Sequence, residues 1–347
     1  MRSQVSHILF GEQGFIASTM AHAESGREPV SHEIGNAIRL QLWANGVLQL
    51  VPIQENSARQ PIIISCGVHG NETAPIELLE RLIEALLNQQ VELRNPLLLI
   101  FANPAAAAKQ VRELQHNMNR LFSGRHANGD VHGSLEAQRA AHLEQLVSRF
   151  VSSYPAINQR CLHYDLHTAI RASRHEKFAV YPLLHERQHS QSQLGFLERC
   201  GMQAVLLSQQ PSGTFSYYTS TTHAAHGFTL ELGSVQPFGQ NDLSRYDALY
   251  QGLIAVLEQR EKFAQGPSQL RVYRVQHEFI KRSEDMQFHF ADDVPNFTAF
   301  AKGTLLVEDG EQRYIVANDG ECIVFPNKSV APGQRSVLIV SPEPVTA

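Results

Sequence analysis

At 347 residues the chain exceeds what one ordinary core requires, which allows one large domain or a principal domain with a smaller companion. Its 43% hydrophobic and 18% charged residues exclude a disordered, collagen-like or coiled-coil chain. With 29 Lys+Arg against 34 Asp+Glu, a net charge of −5 and a pI of about 6.4, it has no basic block to follow a polyanion. Nucleic acid is therefore not an expected partner, although a local arginine cluster can still hold a small anion.

The first twenty residues, MRSQVSHILFGEQGFIASTM, lack the sustained apolar core of a signal peptide. The longest apolar run, Leu97 to Ala102, is far too short to span a bilayer, so a cytoplasmic protein with no membrane partner is expected. From Pro61 onward, β-rich runs alternate with helical patterns. Pro61-IIISC is followed by a helix over Ala74 to Gln89, Leu97-LLIFA by a helix over Leu135 to Val151, and the four-alanine run from Ala105 to Ala108 should open a helix between them. The series continues with Cys161-LHYDLH, Phe178-AVYP, a helix over Ser190 to Cys200, Gln203-AVLLS, Gly227-FTLEL and a helix from about Asp242 to Phe263. This alternation predicts an α/β domain whose sheet carries crossover helices on both faces.

At Gln265-GPS the texture changes to β signals with little helical periodicity: Arg271-VYRV, Thr304-LLVEDGEQRYIV with an Asp309-Gly310 hairpin turn, Cys322-IVF and Val337-LIV. A catalytic α/β domain over 1–266 and a smaller β-rich domain over 267–347 are expected. Cys66, Cys161, Cys200 and Cys322 are scattered without a C-x-x-C spacing, and all four are read as reduced.

Ser65-CGVHGNETAP leaves a strand and enters a helix, so His69 and Glu72 fall where open α/β sheets place their ligands. Spaced i, i+3, an imidazole and a carboxylate can share a cation. The same spacing also suits a turn-capping His and a first-turn helix carboxylate. On the strand Cys161-LHYDLHTAIR, period two puts His163, Asp165 and His167 on one face, with His167 at the end as the better ligand and Asp165 as an orienting partner. An edge strand with polar residues toward water is the alternative. Glu231 interrupts the apolar strand Gly227-FTLEL, which requires either a cleft or a partner, and beside a metal it is placed to act as a general base. Arg112, Asn119 and Arg120 follow the 102–108 segment, and arginine suits both carboxylate recognition and oxyanion stabilisation. No G-x-S-x-G, P-loop, G-x-G-x-x-G or H-E-x-x-H motif is found, leaving metal-assisted hydrolysis as the best-supported chemistry.

Taken in order, HGNETAP at 69–75, ANP at 102–104, NMNRLF at 117–122, DLHTAIR at 165–171 and TLELG at 229–233 resemble the succinylglutamate desuccinylase/aspartoacylase family. Pro211-SGTFSYY, Gly227-FTLELGSVQPFGQNDL and Ala301-KGTLL bring the chain nearer its succinyl-cleaving branch, and the resemblance runs from about residue 45 to the end. It implies a zinc-carboxypeptidase-like mixed sheet flanked by helices, with a smaller C-terminal β-rich domain. It further implies one zinc ion per subunit on His69, Glu72 and His167, and Glu231 as the base. Arg112 matches the arginine that polarises the scissile carbonyl, and Asn119 with Arg120 the pair that grips the amino acid's α-carboxylate. The implied substrate is a small N-acyl amino acid, N2-succinyl-L-glutamate, cleaved to succinate and L-glutamate as the last step of the succinyltransferase route of arginine catabolism. Where acetylaspartate-cleaving relatives carry a substrate-binding Arg and Tyr, this chain has Thr221 and Phe325. Arg171 and Arg174 are the candidates for the distal succinyl carboxylate, with a surface pair to Glu176 as their alternative. The isolated His116, His126, His132 and His223 are read as surface or core residues, and the oligomeric state is not legible.

Overall fold

The structure is a computed structural model that describes residues 4–54, 60–154, 160–169, 171–262 and 269–343. Helices α1 (Gln4–Phe10) and α2 (Gly14–Ala21) lead into an antiparallel meander of β1 (Val30–Ile34), β2 (Ile38–Ala44) and β3 (Val47–Pro52). These three strands fall outside the elements expected from the sequence, although β2 carries the period-two signal: Ile38, Leu40 and Leu42 are buried while Arg39 is exposed.

The βα alternation then follows as β4 (Ile62–Cys66), α3 (Thr73–Leu87), β5 (Leu97–Phe101), α4 (Pro104–Ala108), α5 (Leu135–Ser152), β6 (Leu162–Ala169), β7 (Phe178–Tyr181), α6 (Gln191–Arg199), β8 (Ala204–Leu207), α7 (Phe215–Thr222), β9 (His226–Ser234) and α8 (Asp247–Leu257). Two expected helices are shorter than predicted. The alanine run yields only α4, because Gln110 turns left-handed (φ 55°) and the amides of Gln110 and Val111 return to the carbonyls of Ala107 and Ala106, which closes the helix. The Asp242 helix starts as a 3-10 turn over Leu243–Tyr246 capped by Asp242 and becomes α8 only at Asp247, while Phe263 lies outside the described residues.

β10 (Arg271–Ile280), β11 (Gln287–Phe288), β12 (Thr298–Phe300), β13 (Leu305–Asp309), β14 (Gln312–Ile315), β15 (Glu321–Val324) and β16 (Arg335–Glu343) complete the chain. Asp309 and Gln312 pair across the expected hairpin, whose Gly310 has φ 64°. One mixed sheet runs in the order β1-β2-β3-β5-β4-β6-β9-β7-β8-β10-β16-β15-β12, and β11-β13-β14 form a second. Since β10 lies parallel to β8 and antiparallel to β16, the C-terminal strands extend the catalytic sheet. The expected boundary between 266 and 267 lies outside the described residues.

α3, α6 and α8 pack in one large apolar cluster with Ile64, Leu99 and Leu230, while Leu143 and Val147 of α5 and Phe215 and Tyr218 of α7 pack on the other side with Ile63 and Leu98. Alternate residues of the central strands therefore feed opposite cores, which is why these strands read as unbroken apolar runs. No helix among the described residues is long and apolar enough to cross a membrane.

Candidate metal centre

β5, β4, β6 and β9 are neighbours, and β5-β4, β4-β6 and β6-β9 pair in parallel, so their carboxyl ends open on one side of the sheet. The turn after β4 carries His69 and Glu72, β6 ends near His167, and β9 places Glu231 directly opposite His167 in the ladder. The turn is pressed hard against α4: a Cβ on Gly70 would lie 2.2 Å from the Ala107 nitrogen, so only glycine fits. Glu72 stands at the N-cap of α3 but makes no capping bond, because its carboxylate is engaged elsewhere.

His69, Glu72 and His167 are all buried, and they offer ligand atoms that lie within 4.8 Å of one another. Glu72 Oε1 is 2.7 Å from His69 Nδ1, and Oε2 is 3.0 Å from His167 Nδ1. The far side of each imidazole meets an acceptor: His69 Nε2 is 3.0 Å from Asn117 Oδ1, and His167 Nε2 is 2.9 Å from Asp165 Oδ2. The Asn119 amide donates to Asn117 Oδ1, which identifies that atom as the oxygen. If each ring carries its proton on Nε2, both Nδ1 lone pairs face the Glu72 carboxylate. That arrangement of acceptors suits a shared cation, and two imidazoles with one carboxylate form a set typical of hydrolytic zinc sites.

Without a cation, the same carboxylates favour a proton on His167, which a metal ligand would have to release. Burial works to lower the His167 pKa, but the Asp165 and Glu72 carboxylates overcome it and hold it well above the ordinary imidazole range. Burial raises the Glu72 pKa, yet the two imidazoles outweigh that and keep the carboxylate well below its usual range. Burial lowers the pKa of His69. A second layer fixes Asp165: the Ser65 hydroxyl donates to its Oδ1 at 2.5 Å and lies 2.8 Å from His163 Nε2, while His163 Nδ1 is 2.9 Å from Thr219 Oγ1. β6 is thus a central strand with His163, Asp165 and His167 all buried, not an edge strand facing water.

Glu231 is likewise on a central strand and 8% exposed. Burial raises its pKa to about 7, with His167 and Arg112 opposing the shift and Glu72 and Asp165 adding to it. A carboxyl group poised there can exchange a proton near neutral pH.

The arginines arrive on the loop after α4. Arg112 donates from Nη1 to Glu72 Oε1 at 2.9 Å, and its Nη2 lies 3.0 Å from His69 Nε2. Asn119 accepts the Phe215 amide at 3.0 Å, which ties its loop to the start of α7, and Arg120 donates to the Asn119 carbonyl at 2.8 Å. A Cβ on Gly213 would sit 2.3 Å from the Arg120 carbonyl oxygen, so the segment before α7 is pressed onto this loop. Arg171 donates instead to the carbonyls of Asp292 and Val294, and the exposed Arg174 lies 3.3 Å from Thr298 Oγ1. Both therefore tie the segment after β6 to the C-terminal part, and Glu176 pairs with Arg245. Thr221 is exposed, and Phe325 packs on Phe178 with ring centroids 5.6 Å apart. Among the isolated histidines, His126 lies 3.3 Å from Glu144, and His223 lies 3.2 Å from Ser148 and from Tyr218. Asn117 and the Thr168 amide, which donates to Glu72 Oε2 at 3.0 Å, complete the cluster without any separate sequence signal.

An open α/β sheet with a buried His-Glu-His set beside a carboxylate at its carboxyl end carries the donors and the base that metal-assisted hydrolysis requires. The model of the succinylglutamate desuccinylase/aspartoacylase catalytic domain matches residues 58–257, and that of the AstE/AspA barrel-sandwich hybrid domain matches 268–343. Succinylglutamate desuccinylase of Shewanella denitrificans is 42% identical over 345 residues, 98% of this chain and 99% of that protein. The crystal structure of the protein of that name from Vibrio parahaemolyticus superimposes with a TM-score of 0.85 at 34% identity, covering 96% of each chain. That from Chromobacterium violaceum gives 0.81 at 39% identity, covering 95% of this chain and 98% of that one. The chain belongs to the succinylglutamate desuccinylase/aspartoacylase family, and its mixed sheet, flanking helices and C-terminal β-rich part are the fold expected of it.

Proposed function

We propose that the protein hydrolyses N2-succinyl-L-glutamate to succinate and L-glutamate, using one zinc ion per subunit, as the last step of the succinyltransferase route of arginine catabolism. The observation that carries the substrate is near-full-length similarity, at 42% identity, to a protein named succinylglutamate desuccinylase. His69, Glu72 and His167 would hold the zinc, and the cytoplasm is the expected compartment. The working division is a catalytic part over 1–266 and a β-rich part over 267–347.

Zinc bound there supplies Lewis acidity, polarising a carbonyl and lowering the pKa of water. Glu231 takes the proton that water loses as its oxygen joins the succinyl carbonyl carbon. It returns that proton to the glutamate nitrogen as the C–N bond breaks, so the base is regenerated. Arg112, already aimed into the cluster, stabilises the negative charge on the former carbonyl oxygen. Asn119 and Arg120 hold the α-carboxylate and so fix which bond is presented. Arg171 and Arg174 remain the candidates for the distal succinyl carboxylate, a role in which they would have to leave the bonds they make to the C-terminal part.

The test is glutamate release from N2-succinyl-L-glutamate by zinc-loaded protein, beside N-acetyl-L-aspartate and a chelated control. Rapid, chelator-sensitive release from the succinyl compound alone is expected. Failure of a folded, zinc-filled protein to cleave it removes the named substrate.

A further inference from the structure

Ser65, His163, Asp165 and Thr219 are fully buried where α7 covers the central strands. Polar groups on strands covered on both faces need partners, and each of these finds one. The β4–β6 ladder sets Ser65 opposite Asp165, and the β6–β9 ladder sets His163 opposite Gly227. A Cβ on Gly227 would lie 2.6 Å from the Ser216 carbonyl oxygen and 2.8 Å from Thr219 Oγ1. Glycine there lets α7 settle onto β9, which brings Thr219 to the His163 ring. Phe215 meets the same ring edge-on, with centroids 4.9 Å apart.

The proton positions follow from which atoms can donate. Ser65 has one hydroxyl proton and two neighbours: Asp165 Oδ1 at 2.5 Å, a carboxylate oxygen that accepts, and His163 Nε2 at 2.8 Å. The hydroxyl therefore donates to Asp165, and its oxygen accepts from His163 Nε2. Burial drives the His163 pKa down to about 4 against the pull of Asp165, so the neutral ring, protonated on Nε2, has a bare Nδ1. Thr219 Oγ1 stands 2.9 Å from Nδ1 and 3.0 Å from the Ser216 carbonyl. That carbonyl belongs to the α7 ladder, whereas Nδ1 has no other donor among the described residues, so the Thr219 proton goes to the ring. Every donor from Thr219 through His163 and Ser65 to Asp165 thus points the same way, an order in which successive hydrogen bonds strengthen one another. At the end of the string Asp165 Oδ2 faces His167 Nε2 at 2.9 Å. α7 also begins with the Phe215 amide that Asn119 accepts, so one helix fastens both the arginine loop and this string.

We propose that Ser65 and His163 are positioning residues for the metal: the string from Thr219 fixes the Asp165 carboxylate, which keeps a proton on His167 Nε2 and leaves Nδ1 for the cation. This rests on the reading above in which His167 is a ligand. Among the described residues neither Ser65 nor His163 makes a hydrogen bond to His69, Glu72 or His167, so both act only through Asp165. With Ser65 removed, Asp165 Oδ1 loses its donor and the carboxylate is free to turn from His167.

The test measures zinc affinity by competitive chelator titration for wild type, Ser65→Ala, His163→Phe, Asp165→Asn and the double variant Ser65→Ala/Asp165→Asn, with circular dichroism as the check on folding. Ser65→Ala is expected to weaken affinity about 3–10-fold, the share of one hydrogen bond acting through a second group. His163→Phe should cost less, because Ser65 keeps its bond to Asp165. Once Asp165→Asn is in place, Ser65→Ala should add little, since its route to the metal is gone. A loss that is equal in both backgrounds, or absent from both, marks Ser65 as merely structural and overturns the proposal. A second measurement needs no variant: nitrogen NMR of the histidine rings in zinc-loaded wild type. The His163 ring, identified by its contact with Phe215, should carry its proton on Nε2 and none on Nδ1. A proton on Nδ1 reverses the string and rejects it even where the variants fail to fold. Wild-type protein that takes up no zinc brings down the ligand reading and the positioning role with it, a result distinct from tight binding that Ser65→Ala leaves unchanged.

Discussion

The imidazole–carboxylate cluster on β4, β6 and β9 and the arginine group on the loop after α4 are neighbours built on opposite principles. Both Glu72 oxygens are engaged, by His69 and Arg112 on one side and by His167 and the Thr168 amide on the other, and Asp165 is held in turn by Ser65. This half sits on the central strands β6 and β9 and on the turn after β4, with its groups reciprocally engaged. Arg112 is one-third exposed, Arg120 donates among the described residues only to an adjacent carbonyl, and neither belongs to a regular α-helix or strand. Rigid, mutually satisfied groups suit bond-making chemistry, whereas donors left unfilled suit recognition of a charged ligand. The strand-borne half, together with Arg112, which is engaged with Glu72, should accordingly govern kcat and metal retention, and Asn119 and Arg120 KM and substrate choice.

That division can be broken most severely at His167. His167→Ala should leave a folded protein that no longer retains stoichiometric zinc and has lost measurable turnover; metal analysis beside circular dichroism checks it, and normal zinc content rejects His167 as a ligand. Glu231→Gln should keep the metal and the fold while kcat falls by about 10²–10⁴. Full turnover by this variant would remove Glu231 from the mechanism. Asp165→Asn should weaken zinc affinity about 10–100-fold through the lost orientation of His167, which a competitive chelator titration reads directly.

A smaller effect is expected at Arg171. Its two carbonyl contacts predict that Arg171→Ala costs about 1–2 kcal/mol of stability, and an unchanged KM would remove it from the succinyl carboxylate. A raised KM at unchanged stability would instead place it on the succinyl carboxylate. The smallest test concerns the metal-free protein and pH. Glu231 has a folded pKa raised by burial to about 7, above the ordinary carboxyl value, so the unfolded chain loses its proton first as pH rises. The cost to stability is absent below the unfolded value, grows between the two and is complete above the folded one. Metal-free Glu231→Gln should therefore gain melting temperature over wild type at pH 8 but not at pH 4; an equal gain at both would reject the poised carboxyl.

Much of the strand-borne half was legible because its signals are local. A polar residue inside an apolar run, as at Glu231, or repeated at period two, as at His163, Asp165 and His167, must have a structural reason wherever the strand lies. What could not be read was whether those strands were central or at an edge, since that depends on pairing between β4, β6 and β9, which are separated by long stretches of chain. The N-terminal strands β1–β3 went unrecognised despite the alternation in β2, whereas the hairpin at Asp309-Gly310 announced itself through its turn. The alanine run promised more helix than α4 supplies because intrinsic propensity yielded to the left-handed closure at Gln110.

The sequence by itself determined the α/β alternation and the candidate His-Glu-His set with its carboxylate neighbour, because each depends on residue type and short spacing. Only the tertiary structure decided that the C-terminal strands continue the catalytic sheet through β8 and β10, and that Arg171 and Arg174 tie the segment after β6 to the C-terminal part. Each of those is a meeting between residues far apart in the chain. No local periodicity encodes such a meeting; it follows from which strands pair, and pairing is settled by burial of the whole sheet between its two cores.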